Sequence, residues 1–587
     1  MSTSSPLEPS AATPDSPSPG PTRLGLAAAF VLLFWGVVLG VKTFSPGSYA
    51  HFMTTFIGPM VLALLMLIWW LALSGLNWRE RLAGPLLTAL GGLAIVPLVD
   101  KSMKMGVLMF AMPVALSAAV VWLFLARRTR PLPRTLGLAV VLFFCWSYYT
   151  LIRIDGLGGD LKSEVSWRWD ATKEERFLAE RSQAATGFAM KLPPVGPEDW
   201  PEFRGPQRDS RLTGVKIATD WNAQPPKLLW KHRIGPGWSS FAVVDDFAFT
   251  QEQRGEDEAI VCYYVPDGAE VWAHLVPGRF WEVVAGAGPR ATPTYHDGRV
   301  YAFGANGLLV ALDANSGREL WKRNVQQETA AVTPQWGFSA SPLVIDDKVI
   351  VIAGGPDGKG TAAYRTSNGK PAWYGGLGNH SYTSAQRAKF DGVDVLLAAH
   401  EVGLEALNPT DGKTVWSHTW DMGEAFRIVQ PYVFGDGRVL LPSGYGFGSR
   451  LLNVRHTAEA SAWQADEVWT SKKFNPYYND FVVHNNDAYG FDGNIFCCIN
   501  LADGERPWKK GRYGYGQVLL LADQGLLLVL GDEGQAVLVE AKPDALNEVA
   551  RFQALEGKTW NHPVVTRGKL LVRNAEEAAC YELRLAP

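Results

Sequence analysis

The sequence predicts an all-β, eight-bladed β-propeller preceded by an α-helical membrane domain of about five transmembrane helices. Three observations carry that expectation. Apolar runs long enough to cross a bilayer recur five times in the first 152 residues. Tryptophan recurs in the remainder at intervals of 39–53 residues. The charge balance changes sign at the same boundary: residues 1–155 hold 11 Lys/Arg and 5 Asp/Glu, and residues 156–587 hold 44 and 53. Only 19% of the 587 residues are charged, below the quarter or so of an average soluble domain. This length and asymmetry exclude a single soluble domain. The larger part is acidic and has no basic stripe, which argues against a nucleic-acid partner. Five cysteines exclude a disulfide scaffold.

Residues 1–22 are mostly Ser, Pro, Thr and Ala and read as a disordered cytoplasmic tail. The anchor, 23–153, contains the runs Leu24–Val41, Phe56–Leu76, Leu82–Val99, Met105–Leu125 and Thr135–Ile152, each 18–21 residues long. As a helix, that length spans a hydrocarbon core of about 30 Å. Arg23, Arg79, Arg81, Arg127, Arg128, Arg130 and Arg134 collect on one side, against Lys42, Lys101, Lys104 and Arg153 on the other. The excess puts the N-terminus in the cytoplasm and the large domain on the periplasmic side of an inner, multi-pass membrane location. The third run is rich in Gly and Pro; if it does not cross, the large domain lies in the cytoplasm instead. No run carries a charge at mid-depth, as a transporter would need, so the unit reads as an anchor in contact with membrane lipid. Trp69, Trp70, Trp146, Tyr148 and Tyr149 suit an interfacial aromatic belt.

The connector, 154–199, holds Thr172-Lys-Glu-Glu175, a capping box that opens a short amphipathic helix able to rest on the membrane or on the propeller rim. Pro193, Pro194 and Pro197 then lead into the domain at 200–587.

That domain is a repeat. Trp230, Trp272, Trp321, Trp373, Trp416, Trp469 and Trp508 mark its period, and Phe552 follows as an eighth aromatic. Five of these Trp come four residues after a glycine: Gly268, Gly317, Gly369, Gly412 and Gly504, preceded by Asp, Ser, Asn, Asp and Asp. Such pairs supply the positive φ of a tight hairpin. Three strands and their turns lie upstream of each and one strand ending in Trp follows, so one unit reads as four antiparallel strands, a propeller blade. The last unit has only three strands, and Lys227–Ile234, with Trp230, supplies the fourth, which removes the open edge. Seven blades follow instead if the degenerate region 425–475 is an insertion.

Ala311-Leu-Asp313-Ala-Asn-Ser316-Gly317-Arg-Glu-Leu-Trp321 resembles the Ala-x-Asp-x-x-Thr-Gly-x-x-x-Trp repeat of the pyrroloquinoline-quinone (PQQ) type of propeller, with Ser for Thr. Ala406–Trp416 matches it too, and Ala363–Trp373 and Cys498–Trp508 match more loosely. Trp200-Pro-Glu-Phe-Arg204-Gly205-Pro206 is similar to the start of membrane-linked bacterial members. The resemblance covers about 390 residues and implies the quinoprotein-like fold. It does not fix activity, because such propellers include both dehydrogenases and non-catalytic scaffolds.

Side chains just before each innermost strand should line one mouth of the central channel. They are Trp238, Arg290, Trp336, His380, Tyr382, Arg427, Tyr478, Asn479, Tyr515, Trp560 and His562. Arginines and aromatic rings suit an anionic, planar ligand. PQQ, a flat tricarboxylate, has that description; the bland alternative is a hydrated channel. Dehydrogenases of the family add adjacent cysteines over the cofactor, a Glu and an Asn on Ca²⁺, and an Asp base. Here Cys497-Cys498 falls inside a strand, where neighbours face opposite ways, and Cys262 shares its register. Glu282 is a weak calcium candidate without identifiable partners. No nucleophile elbow, zinc helix or phosphate loop occurs. Catalysis is therefore not evident. The sequence supports a membrane-anchored platform for a protein partner or small ligand, to which it assigns no cofactor, PQQ and Ca²⁺ being the candidates. The alternative is a dehydrogenase using PQQ and Ca²⁺ to oxidise a sugar or alcohol and reduce membrane quinone.

Overall fold

The computed structural model describes residues 23–45, 49–158, 163–181, 190–379, 381–457 and 462–586. The predicted tail and His380 lie outside them. Two compact units emerge, Met1–Asp170 and Ala171–Pro587.

The first unit is helical: α1 (Leu24–Phe44), α2 (Tyr49–Phe56), α3 (Gly58–Ile68), α4 (Trp78–Ile95), α5 (Met112–Leu125) and α6 (Pro131–Tyr148). Among the described residues, three helical runs are long and apolar enough to cross a membrane: Leu24–Phe44, Lys101–Leu125 and Pro131–Tyr148. A fourth counts if Ala50–Phe56 and Gly58–Leu73, bent by 43°, form one span. That is fewer than the five expected. The missing one is α4, whose first turn carries Arg79, Glu80 and Arg81. The aromatic belt is also corrected. Trp69, Trp70, Trp146 and Tyr149 are buried in the unit's core, and only Tyr148 is exposed. Glycines make this possible: a Cβ on Gly84 would lie 2.1 Å from Trp70, and one on Gly91 2.6 Å from Trp146.

The second unit is the eight-bladed propeller. Blades 1–7 each take four consecutive strands, from Ala242–Pro277 in blade 1 to Gln517–Gln553 in blade 7, where Arg211–Leu212 adds a fifth, parallel to Gln517–Leu521. Blade 8 combines Val564–Thr566, Lys569–Arg573 and Glu577–Glu582 with Lys227–Arg233, so both ends of the domain share one sheet. Region 425–475 builds blade 5 and is not an insertion. Its repeat looks degenerate because a long hairpin, Gly448–Thr457 with Ala462–Ser471, replaces the Asp-Gly turn.

The blade tryptophans explain the period. Each stands opposite a partner one strand inward, such as Cys262 for Trp272, Ala311 for Trp321, Ala406 for Trp416 and Cys498 for Trp508, and a bulge follows in the longer pairings. Their indoles donate to the next blade: Trp272 to Ala314 O (3.0 Å), Trp321 to Thr366 O (2.9 Å) and Trp373 to Pro409 O (2.9 Å).

A second belt runs round the axis. The backbone N–H groups of Ser240, Thr292, Ser341, Ser384, Gln430 and Asp480 each donate to a side chain one blade on: Thr292, Ser341, Ser384, Gln430, Asp480 and Gln517. Gln517 Nε2 donates to Trp560 O, and Ser240 Oγ to His562 O, which closes the circle. Each bond satisfies a buried donor that has no strand partner.

Candidate functional site: the axial mouth

The belt fixes the register of the mouth. Two residues before each belt position stand Trp238, Arg290, Ser339, Tyr382, Ile428, Tyr478, Tyr515 and Trp560. Six of the eight are among the predicted residues. Trp336 and Arg427 are out of register by three residues and one.

The other end of the channel is plugged. Trp200 exchanges backbone hydrogen bonds with Val243, and Tyr295 N donates to Pro201 O. Arg208 donates to Glu202 (2.8 Å) and to the carbonyls of Ser341 and Pro342. Arg204 donates to Phe481 O (2.6 Å), and Ser210 O receives Leu520 N. The segment Trp200–Leu212 thus reaches blades on opposite sides of the axis. Arg204, Arg208 and Ser210 all have positive φ, the conformational strain of a tightly wound plug. Phe203 meets the His562 ring edge-on at 5.0 Å, so the mouth is a blind cup. His562 belongs to its floor, with Nε2 3.0 Å from Asp480 Oδ2. Burial would raise the Asp480 pKa, but Arg204 and His562 hold it below the usual carboxylate value.

The cup wall is aromatic. Trp238 and Trp560 lie 4.9 Å apart, Trp560 and Tyr478 5.0 Å, and Tyr478 stacks on Tyr515 at 5.5 Å. Across from them Trp336 touches Tyr382 (5.2 Å) and Phe426 (5.6 Å). Tyr477 and Tyr445, 4.6 Å apart, connect the two halves. Sequence reading missed Phe426, Tyr445 and Tyr477, which flank the register rather than occupy it. It also missed Lys558, whose Nζ lies 4.5 Å from the Trp560 ring and 5.2 Å from that of Trp238. Tyr478 Oη, Trp560 Nε1, Asn479 Oδ1 and Asn561 Oδ1 are buried there without a hydrogen-bond partner.

The two arginines are not anion ligands in waiting. Arg427 is fully buried and turned into the wall, donating to His400 O (2.7 Å), Trp420 O (2.6 Å), Pro442 O (3.2 Å) and Ser443 Oγ. Burial, with repulsion from Arg450, lowers its pKa to about 9. Arg290 is held by Glu282 (3.2 Å) and the carbonyls of Gly286 and Gly288, over the Phe280 ring. Burial lowers its pKa to about 10 despite Glu282. Glu282 in turn accepts from Val284 N (2.7 Å) and Ala285 N (2.6 Å). Its partners are donors, the reverse of a calcium shell.

Cys497 and Cys498 are buried, unbridged and assigned to different apolar clusters on the two faces of their strand. Among the described residues no three His, Cys, Asp or Glu side chains stand close enough together to hold a metal ion. These residues do not fit a PQQ–Ca²⁺ pair: its carboxylates would meet arginines already saturated, and its metal no donor set. A groove of about 1270 Å³ lies on the opposite face, between Pro193, Glu202, Asp297, Asp346 and Arg387. It shares no residue with the mouth.

Helix α7 (Lys173–Glu180) has the expected capping box and rests on the propeller rim. Glu174 pairs with Arg279 and Gly255 N, and Arg181 with Glu270.

Residues 256–510 match the family described as outer membrane protein assembly factor BamB, of the PQQ-repeat kind. The chain is 22% identical over 314 residues to the BamB of Yersinia pestis, covering 51% of this chain and 77% of that one. It is 38% identical over 82 residues to the lanthanide-dependent methanol dehydrogenase of Methylacidiphilum fumariolicum (strain SolV). That match spans 14% of this chain and only 13% of the dehydrogenase. A europium-containing methanol dehydrogenase superposes with a TM-score of 0.50 at 12% identity, over 66% of this chain and 98% of the other, a likeness of fold. The second unit is thus an eight-bladed β-propeller whose residues 256–510 match a family of the PQQ-repeat kind.

Proposed function

We propose that the chain is a membrane-anchored binding platform whose aromatic cup receives a partner protein or a small ligand. The observation that carries this reading is the blind cup itself: a wall of aromatic rings over a plugged floor, with orphaned neutral donors and acceptors beneath. Stacking surfaces of this kind supply binding energy without chemistry. The BamB likeness adds weight, since that relative is named as an assembly factor. The second reading, a PQQ-dependent dehydrogenase, is favoured by the short match to the methanol dehydrogenase. It is weakened by the committed arginines and the inert cysteine pair.

Five membrane crossings, with the N-terminus in the cytoplasm and the propeller outside, are part of the proposal. α4 supports the fifth. Its first turn meets that of α6 through Glu80 and Arg134, and its Gly91 and Gly92 meet Trp146 near the far end of α6. The two helices therefore run side by side in one direction, and 18 residues extend about 27 Å.

A photo-crosslinking residue at Trp336 or Tyr515, compared with one at Arg318 on the opposite face, tests the platform. Crosslinks to one partner from the mouth positions alone are expected. Equal labelling from both faces sinks the reading. Addition of PQQ and Ca²⁺ followed by dye reduction with alcohols and sugars tests the alternative, and turnover would establish it.

A further inference from the structure

We infer that the end of the helical unit where α1, α4 and α6 begin is a built site for the phosphodiester head group of an anionic phospholipid. The inference rests on the reading that these helices cross a bilayer.

Arg23, Arg79, Arg81, Arg127, Arg128, Arg130 and Arg134 gather at this end. Glu80 is the acid described there, and it is consumed. Arg134 Nε and Nη2 each reach one of its carboxylate oxygens at 2.7 Å, with both residues more than nine-tenths buried. Arg81 is spent on Leu76 O (2.8 Å) and Leu71 O (3.3 Å). Arg23, Arg79, Arg127, Arg128 and Arg130 remain exposed, and among the described residues none of them forms an ion pair. Arg79 lies over Trp78 at 5.6 Å and Arg127 over Phe124 at 4.5 Å, rings that are 68% and 52% exposed. Such pairs set a guanidinium at the depth where apolar surface gives way to head groups.

The loop charges alone would satisfy the positive-inside rule. This end adds a rigid mount. Three indoles tie the helix ends together: Trp69 donates to Arg23 O (3.0 Å), Trp70 to Glu80 O (3.1 Å) and Trp122 to Arg134 O (2.8 Å). Glycines hold two of those rings in place, since a Cβ on Gly84 would lie 2.1 Å from Trp70 and one on Gly137 1.9 Å from Trp122. α1 and α6 also start without a side-chain cap, so their dipoles add positive potential to the exposed arginines. Five uncompensated guanidiniums and two uncapped helix starts on one rigid frame suit the singly charged phosphodiesters of a lipid held by its acyl chains.

The test uses the full chain purified in a neutral detergent and offered cardiolipin, phosphatidylcholine or inorganic phosphate. Native mass spectrometry should show cardiolipin retained and phosphatidylcholine lost, with the melting temperature of the helical unit raised by cardiolipin alone. R79Q/R127Q/R130Q should weaken retention by roughly tenfold or more, and the matching lysine triple variant should restore most of it. Equal retention of both lipids, or an unaffected glutamine variant, overturns the inference. So does an equal rise with inorganic phosphate, which would mark a free-anion site. Protease accessibility in sealed vesicles is read separately; a helical unit fully cleaved there would remove the membrane reading itself.

Discussion

A Cβ on Gly317 would lie 2.6 Å from the ring of Trp272, the tryptophan of the preceding blade. The same contact recurs between Gly369 and Trp321, Gly412 and Trp373, and Gly504 and Trp469. The turn glycine therefore does two jobs: it adopts positive φ, and it leaves room for the neighbouring indole. Gly298 separates them, with φ +73° and nothing within 4 Å of its would-be Cβ. Gly298→Ala should cost about 1 kcal/mol, the left-handed penalty. Gly317→Ala should cost about 2–4 kcal/mol, because the ring must move as well. Thermal unfolding followed by near-ultraviolet circular dichroism checks the pair. Equal losses would mean that the indole does not dock on the turn.

Trp416 is the informative exception among the blade markers. Its Nε1 is buried without an acceptor, because the outer strands of blade 5 stay paired beyond the register at which the other blades turn. Trp373→Phe should lose about 1–2 kcal/mol with the bond to Pro409 O. Trp416→Phe should lose distinctly less, since no hydrogen bond is broken. A larger loss at Trp416 would contradict the blade 5 assignment.

The glycine–tryptophan register made the propeller legible, because one repeated contact imposes one spacing on the chain. It failed where blade 5 abandons that contact, and the number of blades stayed open there. The mouth was legible only to within a few residues. Its register follows the hydrogen-bonded belt, whose members are Ser, Thr, Gln, Asp and His and share no letter pattern. One slipped position moved Arg427 from the cup into the wall. The helical unit was read by apolarity, and apolarity cannot tell a lipid-facing tryptophan from one packed on a glycine of another helix. Trp70 and Trp146 were misplaced for that reason.

Arg427 supports structure rather than recognition. Arg427→Met would leave the carbonyls of His400, Trp420 and Pro442 without their donor, a loss of about 2–4 kcal/mol. Crosslinking of a partner from position 336 should survive at temperatures where the variant is folded. Trp560→Ala should show the opposite split, with labelling lost and a smaller drop in melting temperature. Loss of labelling in folded Arg427→Met would return that guanidinium to the binding surface.

Glu258 should make blade 1 sensitive to neutral pH. Its carboxylate is nearly fully buried, accepts Ala305 N at 3.1 Å and faces Gly304, where a Cβ would lie 2.1 Å from Oε2. Burial raises its pKa to about 7 from 4.5, although Ala305 N–H and the Arg290 charge oppose the rise. Between pH 4.5 and 7 the folded protein keeps a proton that the unfolded chain has released. The stabilisation is therefore complete below pH 4.5 and is lost as pH rises through 7, by up to about 3 kcal/mol. Glu258→Gln keeps an acceptor for Ala305 and removes the titration. The melting temperature of Glu258→Gln minus that of the natural chain should climb from pH 4.5 to 7 and then level off. Taking the difference cancels the titration of every other group, so a value constant across that range would show that Glu258 ionises as it does in water.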